Sequence, residues 1–242
     1  MMILSLIAFP LIMAGIAFLL PWNRIRPLVL PLTGIAHSLV TAYVLFRPEC
    51  RGWNEFIVLD PLAAIILLSV SALYLLASFY AVGYLKYRND RSNRVFVASF
   101  SAFLGLISLA ICSHHLGLMW VAIEGTTLAT APLIYFNRSR GSIEATWKYL
   151  LVGSVGIALA LLGTFFLAYS SMQGGQEASL DLERLIANAP SMSTPWLRAA
   201  FILFLVGYGT KMGLSPMHTW KPDAYGEAPG VVGAILAGGV TS

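Results

Sequence analysis

Four ionisable side chains in this 242-residue sequence stand among residues that are almost wholly apolar: Glu124, Lys148, Lys211 and His218. An acid and a base sharing a poorly hydrated region can pass protons, because moving a carboxylate toward an amine changes the proton affinity of both. Glu124 lies eight residues beyond Leu116 in an uncharged run, roughly 12 Å along a helix axis. It either titrates there or ties two helices together as a hydrogen-bonded carboxyl, with Thr127 one turn on as its partner. Lys211 sits in Gly207-Tyr208-Gly209-Thr210-Lys211-Met212-Gly213-Leu214-Ser215-Pro216. Three glycines and a proline around one base can open a helix and admit water, although the nearness of Pro216 also suits a snorkelling lysine. Lys148 follows Trp147 and comes four residues after Glu144, so it reads equally as a transport residue or an interface anchor. His218, in Pro216-Met217-His218-Thr219-Trp220, is of the residue type used as a proton relay and suits either the mouth of a path or an ordinary interfacial position. Counted from the outer ends of their segments, Lys211 lies roughly 21 Å deep and Glu124 roughly 12 Å. Segment ends read from sequence shift by about 3 to 6 Å, which leaves a direct ion pair between the two open.

The elements that must position these groups follow from composition. Only 11% of the residues are charged, against roughly 25% in soluble domains, and 58% are hydrophobic. A mean hydropathy of +0.77 exceeds what one core of this size can hide, so the chain should be solvated by a lipid bilayer. Uncharged runs cover residues 3–20, 27–46, 61–85, 95–113, 116–136, 147–169 and 197–216, and an eighth begins near Pro229. Backbone groups in lipid must be bonded within the segment, so these runs are helices. The expected fold is an all-α polytopic transmembrane helix bundle of about seven full helices plus a truncated eighth. Residues 1–20 lack the positive first region and the cleavage site of a removable signal peptide, so the first helix is expected to stay.

Alternate connections are unequal in basic residues. Arg24, Arg26, Lys86, Arg88, Arg91, Arg94, Arg138, Arg140 and Lys221 fall on one side, and Arg47, Arg51, Arg184 and Arg198 on the other. This bias places the first group in the cytoplasm and the N-terminus outside. The net charge of +4 is thereby a record of orientation, and no nucleic-acid partner is expected. In the long connection from Ser171 to Pro195, Leu180, Leu182, Leu185 and Ile186 alternate with charges after Asp181, an N-cap residue, and form a short amphipathic helix. Gly153, Gly156, Ala160 and Gly163 recur at steps of three and four, which lets a neighbouring helix approach closely. Two cysteines, Cys50 and Cys112, cannot hold an iron–sulfur cluster, and no metal, flavin or nucleotide motif is visible, so no cofactor is expected.

Three stretches carry a resemblance to a known family: Trp120-Val121-Ala122-Ile123-Glu124-Gly125-Thr126-Thr127-Leu128, Glu144-Ala145-Thr146-Trp147-Lys148-Tyr149-Leu150-Leu151-Val152-Gly153-Ser154, and Lys211-Met212-Gly213-Leu214-Ser215-Pro216-Met217-His218-Thr219-Trp220-Lys221-Pro222-Asp223-Ala224. The chain resembles the antiporter-like, proton-translocating membrane subunits of respiratory complex I, multisubunit cation/proton antiporters and membrane-bound hydrogenases. The first two stretches look most like the hydrogenase-4 component F branch. Such members have about fourteen helices with two inverted five-helix repeats. The resemblance therefore implies three leading helices in residues 1–94 and most of the first repeat, with its broken seventh helix, in residues 95–242. It departs from the family at Gly233-Ala234-Ile235-Leu236-Ala237-Gly238-Gly239, where many relatives carry a Lys or His in the eighth helix.

By resemblance, Glu124 would be the acid of the fifth helix, Lys211 the proton-carrying base of the broken seventh and Lys148 the link between them, with His218 on the loading side. The implied function is proton conduction in an inner-membrane oxidoreductase complex, with other membrane subunits and peripheral redox subunits as partners and no redox site in this chain. Three further readings stay open: a subunit of a multisubunit Na⁺/H⁺ antiporter, a non-conducting structural anchor, and a haem-bearing anchor. The last would need paired His ligands at matched depth, and of the four His only His37 lies well inside a segment.

Overall fold

The computed structural model describes residues 2–88 and 90–240. The first helix, α1 (Met2–Leu19), is followed by α2 (Val29–Phe46), a small hairpin of β1 (Gly52–Asn54) and β2 (Ile57–Val58), and then α3 (Pro61–Tyr87), α4 (Arg94–Cys112) and α5 (Leu116–Ile134). After them come α6 (Arg140–Gln173), the short α7 (Leu182–Asn188), α8 (Thr194–Met212), α9 (Trp220–Glu227) and α10 (Gly230–Ile235), which passes into a π-helical turn at Leu236–Val240. The all-α polytopic bundle read from the sequence is thus the observed fold.

Local chemistry sets the helix starts. Asp60 accepts a hydrogen bond from the Ala63 amide at 2.6 Å and Pro61 occupies the first helical position, so α3 begins where its caps dictate. Ser139 does the same for α6 through the Ser142 amide at 2.9 Å, and Asp181 for α7 through the Arg184 amide at 3.0 Å. The expected amphipathic helix is therefore α7. Capping at Ser139 starts the sixth segment earlier than its apolar residues do. α6 runs for 34 residues, about 51 Å, so Lys148 lies two turns inside it and does not open it.

Among the described residues six helices, α1 to α6, are long and apolar enough to cross a membrane. The seventh expected span is α8, 19 residues long; Arg198, Lys211 and its glycines make it less apolar than the others, and it stops at Met212 instead of reaching Pro216. Large apolar side chains cover the outside of the bundle, including Leu39 at 66%, Ile65 at 65% and Leu76 at 71% exposure, the mark of a surface that meets lipid or neighbouring protein. Inside, Tyr74, Phe96, Phe100, Phe103, Phe136 and Trp220 form the aromatic centre of the larger core. Ile3, Leu6, Val44, Leu67 and Cys112 form a smaller core near the other end.

Each end of the bundle is stitched across its own connections. At one end Arg26 donates to Asn23 Oδ1 and Asn93 Oδ1, both at 2.6 Å, and Arg91 donates to the Phe136 carbonyl at 2.7 Å. At the other, His114 N bonds the Phe56 carbonyl, Leu116 N the Leu180 carbonyl and Leu182 N the His114 carbonyl. The connections holding the larger basic group are those at the first end.

Candidate functional site

The close packing of α6 on α8 fixes where Lys211 points. A Cβ on Gly207 would stand 2.6 Å from the Ala160 amide nitrogen, and one on Gly156 2.7 Å from Thr210 Cβ. Only glycine permits that approach, so the small-residue stripe read from the sequence is the seam between these helices.

α8 ends in a Schellman motif: Gly213, in the left-handed region at φ 73°, sends its amide to Thr210 O, and Leu214 sends its own to Gly209 O. The chain then loops back and starts α9 at Trp220, whose indole nitrogen donates to the Thr210 carbonyl at 2.9 Å and whose ring lies 5.1 Å from that of Tyr149. Lys211 therefore occupies the last turn of an interrupted helix, 6% exposed, roofed by α9.

Its partners are neutral hydroxyls. Nζ donates to Thr127 Oγ1 at 2.6 Å and to Tyr149 OH at 3.0 Å. Tyr149 OH is 2.6 Å from Thr130 Oγ1, which lies 2.7 Å from the Thr126 carbonyl. Thr127, Thr130 and Tyr149 are all buried, so α5, α6 and α8 meet at one amine. On another side Lys211 borders a largely apolar cavity of about 490 Å³, lined also by Tyr208, Ile65, Ile107, Met119 and Ile123. The Tyr208 hydroxyl is buried without a hydrogen-bond partner.

Glu124 is not in contact with Lys211. Its Oε1 accepts from Ser154 Oγ of α6 at 3.3 Å, and its Oε2 is buried with no partner. The expected companion of Glu124, Thr127, is instead the ligand of Lys211, three residues or about 4.5 Å further along α5. The acid thus lies one turn of α5 from the threonine that holds the base.

Lys148 lies on the surface, donating to Glu144 Oε1 at 2.7 Å and Asp223 Oδ2 at 2.8 Å, and so ties α6 to α9. This differs from the expected link between Glu124 and Lys211. One residue is about 100° of helix rotation, and that rotation puts Tyr149, the next residue, on the buried face that Lys148 was expected to hold. His218 is exposed in the turn between α8 and α9. The sequence reading missed Tyr149, Thr130 and Trp220. A threonine stripe at 126, 127 and 130 was the available signal, since hydroxyls on one helix face of a membrane span must find partners.

A family model described as NADH:quinone oxidoreductase/Mrp antiporter, TM matches residues 113–242. The chain is similar to a hydrogenase-4 component F homolog of Methylacidiphilum infernorum, 34% identical over 81% of this chain and 42% of the relative. It is also similar to NADH-quinone oxidoreductase subunit N of Desulforudis audaxviator, 35% identical over 78% of this chain and 36% of the relative. The chain therefore spans less than half the length of these curated relatives. In fold it is similar to a chain of the membrane-bound sulfane sulfur reductase, an archaeal respiratory membrane complex, with a TM-score of 0.84 at 18% identity over 99% of this chain and 50% of that one.

Proposed function

The chain belongs to the NADH:quinone oxidoreductase/Mrp antiporter transmembrane family, and from that premise we propose that it conducts protons in a redox-driven, multisubunit membrane complex. The observation that carries this reading is the chemistry around Lys211: a buried amine whose hydrogen-bond partners among the described residues are hydroxyls. A hydroxyl accepts from an ammonium and donates to a neutral amine, so the same cage holds both states with one rotation of an O–H bond. A contacting carboxylate would instead hold the proton in place.

In the proposed cycle, Lys211 loads from the basic end, past His218 and the Lys148–Asp223 tie, and releases toward the cavity beside Tyr208. Glu124 sets the affinity at a distance. Opposite charges in a poorly hydrated region attract, so neutralising or moving the carboxylate would weaken proton binding at the amine. The partnerless Oε2 favours this role, because a carboxyl that is incompletely bonded gives up little when a neighbouring subunit shifts it. The basic end is proposed to face the cytoplasm across an inner membrane, with a hydrogenase-4-like module as the source of redox energy.

The test is Lys211→Ala in the assembled complex. Redox turnover should persist while protons moved per turnover fall; unchanged stoichiometry would overturn the reading. Repeating the measurement with Na⁺ replaced by K⁺ separates proton transport from Na⁺/H⁺ exchange.

A further inference from the structure

His37 is 2% exposed at mid-length of α2, in the part of the molecule that the Lys211 path does not use. Three helices supply its surroundings. Its Nε2 is 3.0 Å from Ser108 Oγ of α4, and its Nδ1 is 3.0 Å from Ser71 Oγ of α3 and 3.5 Å from Thr41 Oγ1. Thr41 Oγ1 lies 3.1 Å from Ser71 Oγ as well.

The hydroxyl hydrogens decide what this cluster can hold. Ser71 donates to the Leu67 carbonyl and Ser108 to the Leu104 carbonyl, each at 2.7 Å and each one turn back along its own helix. A serine has one hydrogen, so in this pattern both serines can only accept from the imidazole: Nε2 then carries N–H, and Nδ1 carries it too except where the Thr41 hydroxyl, 3.5 Å away, donates to it. The neutral ring is accommodated by turning one serine hydroxyl from its carbonyl to the bare nitrogen. That carbonyl keeps its helical amide, so the turn strands no buried group.

A second feature favours the doubly protonated ring. Pro10 lies inside α1 and has no amide hydrogen, which frees the carbonyl of Leu6, four residues earlier, from its helical bond. That carbonyl faces His37. Gly105 of α4 permits the approach of α1, since a Cβ there would stand 2.9 Å from Ile7 O.

We infer that His37, caged by Ser71, Ser108, Thr41 and the Leu6 carbonyl, is a reversible proton-binding site in the leading helices, separate from Lys211. No lysine, arginine, aspartate or glutamate faces it: α1 and α2 carry none, and those of α3 and α4 (Lys86 and Arg94) stand at their helix ends. The titratable groups nearest along the helices are Tyr74, one turn from Ser71, and Cys112, one turn from Ser108. Burial costs the imidazolium its solvation and no charge offsets it, so its occupancy depends on the acceptors around it.

The test uses the assembled complex in lipid, with ¹⁵N-labelled histidine and infrared difference spectra across about pH 4 to 8. Subtracting the His37→Gln variant isolates this ring from His114, His115 and His218. The expected result is an imidazolium band that titrates within the range. Pro10→Ala, which returns an amide to the Leu6 carbonyl, should lower the proton affinity roughly tenfold, as loss of one hydrogen bond to a charged group implies. Ser108→Ala should act in the same direction. A ring that stays in one neutral form throughout, or an affinity indifferent to both Pro10→Ala and Ser108→Ala, would overturn the inference whatever Lys211→Ala does.

Discussion

At the scale of single residues, Lys211 and Tyr149 should separate by kinetic signature. Tyr149→Phe removes one of two hydroxyls from the amine while leaving the ring against Trp220. The cage then holds either protonation state with one hydroxyl fewer, and losing a bond worth about 1.5 kcal/mol or more on the transfer path should slow proton transfer roughly tenfold. Coupled turnover should slow by a similar factor with protons per turnover unchanged, measured by dye quenching in inverted vesicles alongside the redox rate. Lys211→Ala is expected to do the reverse, sparing turnover and losing the proton. Lys211 and Glu124 were legible as candidates because ionisable groups in apolar runs are costly and therefore conspicuous. Tyr149 was not, because a tyrosine beside a lysine near a helix end reads as an interfacial residue, and only the rotation of α6 shows which of the two faces inward. Depth counting left the Glu124–Lys211 pair undecided; the one-turn offset between Glu124 and Thr127 resolves it as a through-space neighbour and not a contact.

At the scale of elements, the site depends on how closely α6 and α8 approach. Gly207→Ala would set a Cβ 2.6 Å from a backbone nitrogen that cannot move without bending α6. The expected cost is about 1 to 3 kcal/mol, typical of overpacking, together with weaker hydrogen bonding at Lys211 because α8 is pushed away from Thr127 and Tyr149. Gly83→Ala in α3 meets nothing within 4 Å and serves as the control. Thermal unfolding of the two variants in detergent should separate them clearly. The stripe of small residues announced this seam before any coordinates, since its three- and four-residue spacing is a property of one helix face. The break after Met212 was announced too, by its glycines and proline. The return of Trp220 to the Thr210 carbonyl was not, because it depends on the path of the chain through the loop and not on a local pattern.

At the scale of the whole molecule, the two stitched ends make the topology testable with a native residue. Cys50 lies partly exposed in the connection before β1, at the end opposite the larger basic group, and Cys112 is buried. A membrane-impermeant maleimide should therefore label Cys50 in right-side-out vesicles and fail in inverted ones; the opposite result would turn the molecule over. The apolar runs gave the order of the helices because lipid leaves the backbone no alternative, while among the described residues six of the seven full spans they implied are long and apolar enough, α8 falling short. They did not give the full length of α6, because its first two turns are set by a serine cap and by charged side chains that lie outside the apolar run. That length has a mechanical meaning. A continuous rod of about 51 Å cannot fit upright inside a hydrocarbon layer of about 30 Å, so it either leans or stands proud of the surface. Swinging such a rod by about 5° about its middle would carry each tip roughly 2 Å, enough to break one hydrogen bond. α8, cut at Gly213, is the compliant member against it, and the joint between them is where the buried amine sits.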